Sequence, residues 1–108
     1  MAEQPKVLNQ LDPSAASLTD LYTVPALTSV VMSSLMVCNR GAATSFRISI
    51  APAGAADSDE QYIYYDKAIE TNDTIPVTIG LTLETTDVVR VYATLATLSF
   101  TAFGVEIT

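Results

Sequence analysis

Residues 74–108 read TIPVTIGLTLETTDVVRVYATLATLSFTAFGVEIT, and this stretch decides the fold. Its β-branched and aromatic residues form three runs, residues 75–81, 88–94 and 98–107, which are separated by short turns. None of the runs has the composition of a helix, and the first alternates apolar with small or polar side chains. Pro76 lacks an N–H group, which places its run at a sheet edge or requires a bulge there. The stretch therefore predicts antiparallel sheet.

Other short apolar runs earlier in the chain also have the length and composition of strands. They are residues 18–24, 30–38, 44–51 and 61–69. Residues 30–38 are apolar on both alternating faces, which indicates a central strand covered on two sides; a buried helix is the competing interpretation. The run at 44–51 follows a turn at Arg40-Gly41, which predicts a hairpin with the preceding run.

The spacing of the predicted strands determines the fold class. Seven or eight short strands with no helix between them predict an all-β chain, an antiparallel β-sandwich that is jelly-roll-like or immunoglobulin-like. At 108 residues the chain has the size of one domain. Residues 1–6 are polar and carry Pro5, which predicts a flexible N-terminal arm or an intersubunit strap. The single β-sandwich domain would then occupy residues 7–108.

The composition favours contact with other protein chains. Hydrophobic residues make up 49% of the sequence and charged residues only 16%, below the roughly 25% of an ordinary globular chain. A chain of this size cannot bury so much apolar surface within itself, so we expect some of it to meet a neighbour. The net charge of −7 argues against nucleic acid as a partner, because basic side chains supply most of the affinity for phosphates.

The start of the sequence and the lengths of its apolar runs bear on location. Residues 1–10 read MAEQPKVLNQ and lack the basic start and apolar stretch of a signal peptide. No apolar run approaches the roughly 20 residues of a membrane helix. We therefore expect synthesis in a reducing cytoplasm and no membrane partner.

The residues needed for most enzyme chemistry are scarce. The sequence has no His and one Cys, so it cannot form a Ser-His-Asp or Cys-His arrangement or an ordinary zinc site. We predict no enzyme activity, no cofactor and no metal. Cys38 is expected to be a small buried hydrophobe, with an exposed thiol as the alternative. The acidic run at residues 57–60 is the only candidate cation site, against the simpler interpretation of a solvated loop tip.

Several tyrosines have two interpretations. Tyr62 and Tyr64 are predicted on one face of a strand, and Tyr65 on the other. Together with Tyr92 they could form a sugar-binding platform, because amphipathic rings stack on sugars. The simpler interpretation is that they are cross-strand packing pairs or anchors of a protein interface.

A set of short motifs resembles the sequences of small structural proteins from tailed-bacteriophage virions. They are LYTVP at 21–25, VVMSSLMVCN at 30–39, FRI at 46–48, YIYYD at 62–66 and LETTDVVRVYA at 83–93. Their order and spacing cover residues 18–107. One departure is Leu27, which stands in a turn where those proteins usually have Gly. The resemblance implies a β-sandwich without catalytic residues, repeated by the symmetry of a head, neck or tail.

Under this resemblance we expect a non-enzymatic virion structural protein that packs in multiple copies to reinforce or decorate the particle. Its partners would be copies of itself and other virion proteins, and it would reside in the virion after synthesis in the host cytoplasm. The alternative is a host-surface or carbohydrate-binding module on a fibre or capsid exterior, with host glycans as ligands. A small cellular adaptor is a third hypothesis. The residues expected at contacts are Met1, Glu3, Pro5, Val7, Tyr62, Tyr64 and Pro76.

Overall fold

The fold is an all-β sandwich of two antiparallel sheets. The computed structural model describes residues 2–108. Its strands are β1 (Glu3–Leu11), β2 (Thr19–Thr23), β3 (Ser29–Asn39), β4 (Thr44–Ala51), β5 (Tyr62–Ile69), β6 (Thr74–Val77), β7 (Leu81–Leu83), β8 (Val88–Ala93) and β9 (Leu98–Ile107). The first sheet has the order β1-β9-β3-β6, with β7 also paired to β3, and the second has the order β2-β8-β4-β5. The predicted fold class is confirmed, with nine strands instead of seven or eight.

The strand pairs are nested about the loop that joins β4 to β5. In this nesting β4 pairs with β5, β3 with β6 and β7, β2 with β8, and β1 with β9. A long hairpin that is rolled up so that its successive pairs fall alternately in two sheets is a jelly roll. Of the two sandwich types that the sequence left open, the pairing is therefore that of the jelly roll.

Strands β6 and β7 together form one edge of the first sheet. Both pair with β3, β6 along Leu35–Cys38 and β7 along Val30–Met32. Residues 78–80 interrupt the edge, and Gly80 there has a φ of +66°. The prediction of a single continuous strand over residues 75–81 is therefore wrong, because the chain leaves the ladder after Val77. The edge position predicted from Pro76 is confirmed.

The N-terminal segment is a strand and not an arm. Strand β1 begins at Glu3 and pairs with β9 over nearly its whole length. The prediction of a flexible arm at residues 1–6 is thus wrong for Glu3–Lys6, while Met1 lies outside the described residues. The physical reason is Lys6, whose Nζ lies 2.6 Å from a carboxylate oxygen of Glu106 on β9. A polar sequence can form an edge strand when its neighbour supplies the ladder and an ion pair.

Strand β3 changes its inward face at a bulge. Val30 and Met32 are buried before the bulge, and Leu35 and Val37 are buried after it. The extra residue is Ser33, because Met32 pairs with Gly104 of β9 and Ser34 with Phe103. An inserted residue shifts the two-residue period by one, so a strict alternation over residues 30–38 does not assign the side chains of this strand to the correct faces. Cys38 accordingly lies on the outer side and is half-buried, not a core residue.

The connection from β3 to β4 crosses between the sheets, so the hairpin predicted at Arg40-Gly41 is wrong. Asn39 holds this crossing and is 1% exposed. Its Nδ2 donates to the carbonyls of Ala42 (2.9 Å) and Glu70 (3.0 Å). Its Oδ1 accepts from the Gly41 N–H and from the Thr97 hydroxyl, both at 3.0 Å. One buried amide thus joins three loops at the same end of the sandwich.

The core lies between the two sheets and contains two central phenylalanines. The rings of Phe46 on β4 and Phe100 on β9 meet edge to face, with centroids 6.2 Å apart. Both side chains are fully buried, as are Leu35 and Ile48. Aromatic pairs of this geometry add to the burial term. The sheets are therefore joined at the centre by apolar contact, and their outer faces are left for other contacts.

Leu27 occupies a turn in which its backbone conformation favours Gly. Its φ is +56° and its side chain is 91% exposed. A left-handed conformation costs an L-residue about 1–2 kcal/mol, and glycine avoids most of that cost. We therefore expect Leu27→Gly to stabilise the chain by about 0.5–1 kcal/mol in urea denaturation, after the entropy cost of glycine is deducted. Leu95→Gly, at a half-exposed site without a positive φ, is the control; equal effects of the two changes would contradict this explanation.

Candidate functional site: two unlike outer faces

The outer face of the first sheet is apolar. On β9 the inward residues alternate with the half-exposed Phe103, Val105 and Ile107. The ladder places Val7 and Ser34 beside Phe103, and Pro5 and Val31 beside Val105. We call the outward residues of this sheet the apolar face. Its apolar members are Pro5, Val7, Val31, Met36, Pro76, Phe103, Val105 and Ile107.

Charge is nearly absent from the apolar face. The remaining outward positions by register are small or polar, and Glu3 alone is charged, at the end of β1 opposite Ile107. The chain as a whole has five basic and twelve acidic residues. Two of the outward valines, Val7 and Val31, are 48% and 41% exposed. Large exposed apolar areas of this kind are typical of surfaces that contact another molecule.

Four of the predicted contact residues come together on this face. Pro5 and Val7 lie on β1, and Pro76 lies opposite Met36 at the other edge of the sheet. Glu3 lies at the end of the same face. Sequence reasoning chose these residues separately, from the supposed arm and from an edge proline. It missed the centre of the face, although the alternation of Phe103, Val105 and Ile107 with small residues was the available signal.

The outer face of the second sheet has the opposite character, and we call it the aromatic face. The Arg47 guanidinium lies over two rings, 4.1 Å from the centroid of Tyr65 and 4.4 Å from that of Tyr92. Its Nε donates to Asp66 at 2.7 Å. The hydrogen bond to Asp66 raises the pKa of Arg47 further. Stacking on rings and pairing with a carboxylate are both strengths of arginine over lysine.

Bulges in β5 create this cluster. Phe46 pairs with Lys67 and Ile48 with Tyr64, so that Tyr65 and Asp66 both lie opposite Arg47. Asp66 has a φ of +51°, as a bulged position allows for a short polar residue. Sequence reasoning identified Tyr65 and Tyr92 but missed Arg47, since a strand arginine between alternating apolar residues has the pattern of an ordinary solvent-facing residue.

Tyr62 and Tyr64 lie on opposite sides of β5. Tyr64 is half-buried and its ring stacks on Phe46 at 6.0 Å, so it belongs to the edge of the core. Tyr62 lies on the aromatic face, where its ring meets Tyr65 edge to face at 5.2 Å. Its hydroxyl donates to Asp57 at 3.0 Å, and burial raises its pKa. The prediction that Tyr62 and Tyr64 share a face is wrong because the extra residue, Ile63, interrupts the alternation.

A buried polar contact joins the two sheets near the end of β9. The Tyr22 hydroxyl on β2 donates to Glu106 on β9, which also pairs with Lys6 on β1. The contact with Lys6, and then that with Tyr22, holds the pKa of the Glu106 carboxyl below its ordinary value. Burial raises the pKa of Tyr22, and the hydrogen bond to Glu106 raises it further. The three side chains fix β1 to the sandwich.

We expect Tyr22→Phe to cost about 2 kcal/mol at neutral pH, because it removes a buried hydrogen bond to a charged group. Folding lowers the pKa of Glu106, so its stabilisation is present above the ordinary value of 4.5 and is lost as pH falls through the lowered pKa. The difference from the wild type should therefore shrink in acid, as measured by urea denaturation across pH. Tyr92→Phe, on the aromatic face, is the control, and a penalty independent of pH would contradict this assignment.

No cluster of metal-ligating side chains occurs in residues 2–108, since no three Asp, Glu or Cys side chains there come close enough together to hold a metal ion. In the acidic loop, Ser58 donates to Glu60 and lowers the pKa of its carboxyl. Within the same residues, no helix is long and apolar enough to cross a membrane. Comparisons of the chain with protein-family models, curated proteins and solved structures find no match.

Proposed function

We propose that this chain is a non-enzymatic structural protein of a tailed-bacteriophage virion, present in many copies that reinforce or decorate the head, neck or tail. The apolar face is the observation that carries the proposal. A sandwich with one outer face almost free of charge is suited to a permanent contact, because such a face left in water promotes association. The ordered motifs from residue 18 to residue 107 support the proposal independently.

The fold supports the proposal by analogy. Jelly rolls occur in viral capsid domains and also in lectins, so the topology is compatible with both hypotheses from the sequence. Fold alone does not imply function, and the argument therefore depends on the surfaces. In a symmetric particle a modest contact is repeated many times, so the apolar face can contribute to a stable assembly without being large.

Quantifying this chain in particles of the phage that encodes it tests the proposal. The particles would be purified on a density gradient, and the chain would be measured by mass spectrometry against the major capsid protein. We expect it to co-purify with intact particles at a fixed ratio of many copies per particle. Its absence from washed particles, or a ratio that varies between preparations, would contradict a structural role.

A second candidate function is favoured by the aromatic face. Tyr62, Tyr65 and Tyr92 lie together with a guanidinium and a carboxylate, and these are the groups that stack on sugars and hydrogen-bond their hydroxyls. Under this candidate, Tyr65→Ala would weaken binding on a glycan array at least about tenfold, since Tyr65 is 61% exposed. Ile63→Ala on the same strand is the control. An array on which the wild-type chain binds nothing would reject the candidate.

A further inference from the structure

The partner of the apolar face can be inferred from its size, charge and shape. The face extends over β1, β9, β3 and the edge formed by β6 and β7. Strand β9 has ten residues and β3 has eleven. With a rise of about 3.3 Å per residue and a strand spacing of about 4.8 Å, the face measures roughly 33 by 19 Å. Its flat area is thus on the order of 600 Å².

This area is sufficient for a stable dimer. Two such faces in contact would remove about 1,200 Å² of surface from water, if each face is counted as flat. This area is at the lower end of the range for specific protein interfaces. Phe103 lies near the middle of the sheet, between Val7 and Ser34 on the neighbouring strands. A central aromatic beside a small residue provides both a projection and a recess, as interface anchors commonly do.

The distribution of charge permits a second copy of the chain as the partner, although a net charge of −7 makes like molecules repel. On the aromatic face the charges are paired, Arg47 with Asp66 and Arg90 with Asp20. Eight of the twelve acidic residues lie in the connections between strands and not on the apolar face. Exposed charges separated by more than the Debye length of about 8 Å are largely screened at physiological salt. Repulsion therefore does not prevent this particular pairing.

The absence of charge also argues against a foreign partner. Specific recognition of a different protein commonly uses charged groups of complementary sign, and apart from Glu3 this face has none. A second copy presents the same apolar strands, and two twisted sheets pack face to face at an angle of about 30°. A two-fold axis through the face satisfies both copies at once.

We infer that a second copy of this chain covers the apolar face, so that two sandwiches pack through their first sheets as a two-fold dimer. The inference rests on the proposed function, whose repeating contact it identifies. It assigns Val7, Val31, Phe103 and Val105 to the interface and leaves the aromatic face on the outside of the dimer.

Sedimentation equilibrium of the purified full chain tests the inference. The wild type should have twice the 11.5 kDa chain mass. Val31→Lys and Val7→Lys should each raise the dissociation constant about 30-fold, because each places an unpaired charge in the contact. Ile63→Lys is the matched control, since Ile63 is 39% exposed and lies on the second sheet. Far-UV circular dichroism and thermal unfolding check that each variant is folded, and having two face variants guards against misfolding of one.

Each outcome supports or overturns the inference. An oligomer that the two face variants dissociate and Ile63→Lys leaves intact supports it. A wild-type chain that is monomeric at about 0.5 mM overturns it, because a dissociation constant above that concentration is too high for a stable dimer. An oligomer that resists both face variants, or that Ile63→Lys also dissociates, overturns it as well. A monomer that still co-purifies with particles would contradict the dimer but not the proposed function. A dimer that is absent from particles would contradict the proposed function but not the dimer.

Discussion

Gly104→Ala is expected to destabilise the chain by about 3 kcal/mol, near the upper end of the usual cost of overpacking. A β-carbon at Gly104 would lie 2.4 Å from the Val31 carbonyl oxygen and 2.8 Å from Met32 Cα. Both are backbone atoms of the central strand β3, so neither can rotate away. The adjacent bulges at Leu8 and Ser33 bring the neighbouring strands close at this point, and only glycine leaves room for them.

Thermal unfolding measures this effect. For a domain of this size 3 kcal/mol lowers Tm by about 12 °C or more. Gly80→Ala is the control: nothing lies within 4 Å of its added β-carbon, but its φ is +66°. We expect a cost of only about 1 kcal/mol there, from backbone strain alone. If Gly104→Ala unfolded at the same temperature as the wild type, the result would contradict the explanation that β3 and β9 approach too closely for a β-carbon.

Asn39→Asp is expected to cost about 3 kcal/mol at neutral pH, although the two side chains have almost the same shape. The substitution replaces the amide donor that serves the carbonyls of Ala42 and Glu70. A carboxylate there would face two carbonyl oxygens at about hydrogen-bond distance, and its negative charge would be buried. Protonation restores one donor, so the penalty should shrink in acid.

Urea denaturation of Asn39→Asp at neutral and acid pH checks this expectation. Asn72→Asp introduces the same charge in an exposed turn, at a φ of +56° that aspartate tolerates, and should change stability by less than about 0.5 kcal/mol. A similar small change at both sites would show that Asn39 does not hold the crossing between the sheets.

Local patterns in the sequence predicted much of the fold. The period of two and the β-branched composition identified most strands, and Pro76 identified an edge, because both signals depend on one segment alone. Pairing could not be predicted in the same way. Residues 44–51 follow β3 closely along the chain, yet they pair with β5 and β8 in the other sheet. A buried asparagine, which hydrogen-bonds its own loop and two loops that are distant in sequence, holds that crossing.

Bulges explain most of the remaining errors. One extra residue at Ser33 moves Cys38 to the outer side, and the bulges of β5 separate Tyr64 from Tyr62. An inserted residue hardly changes the composition of a strand but moves every later side chain to the opposite face. A count of alternating residues therefore assigns those side chains to the wrong face. The apolar face was hidden for another reason: its members Pro5 and Pro76 lie far apart in sequence, and β9 and β3 join them only in the folded sheet.

The reactivity of Cys38 tests the central claim most directly, because this native thiol reports on the apolar face and no probe has to be introduced. Cys38 lies on that side of the sheet, half-buried between Ser99 and Thr74. The rate of alkylation by a small thiol reagent would be measured in purified particles, in the isolated wild-type chain at high concentration, and in the Val31→Lys variant. If copies of the chain cover the apolar face, Cys38 should be protected in the first two samples and should react in the third. Equal rates in all three would contradict the account.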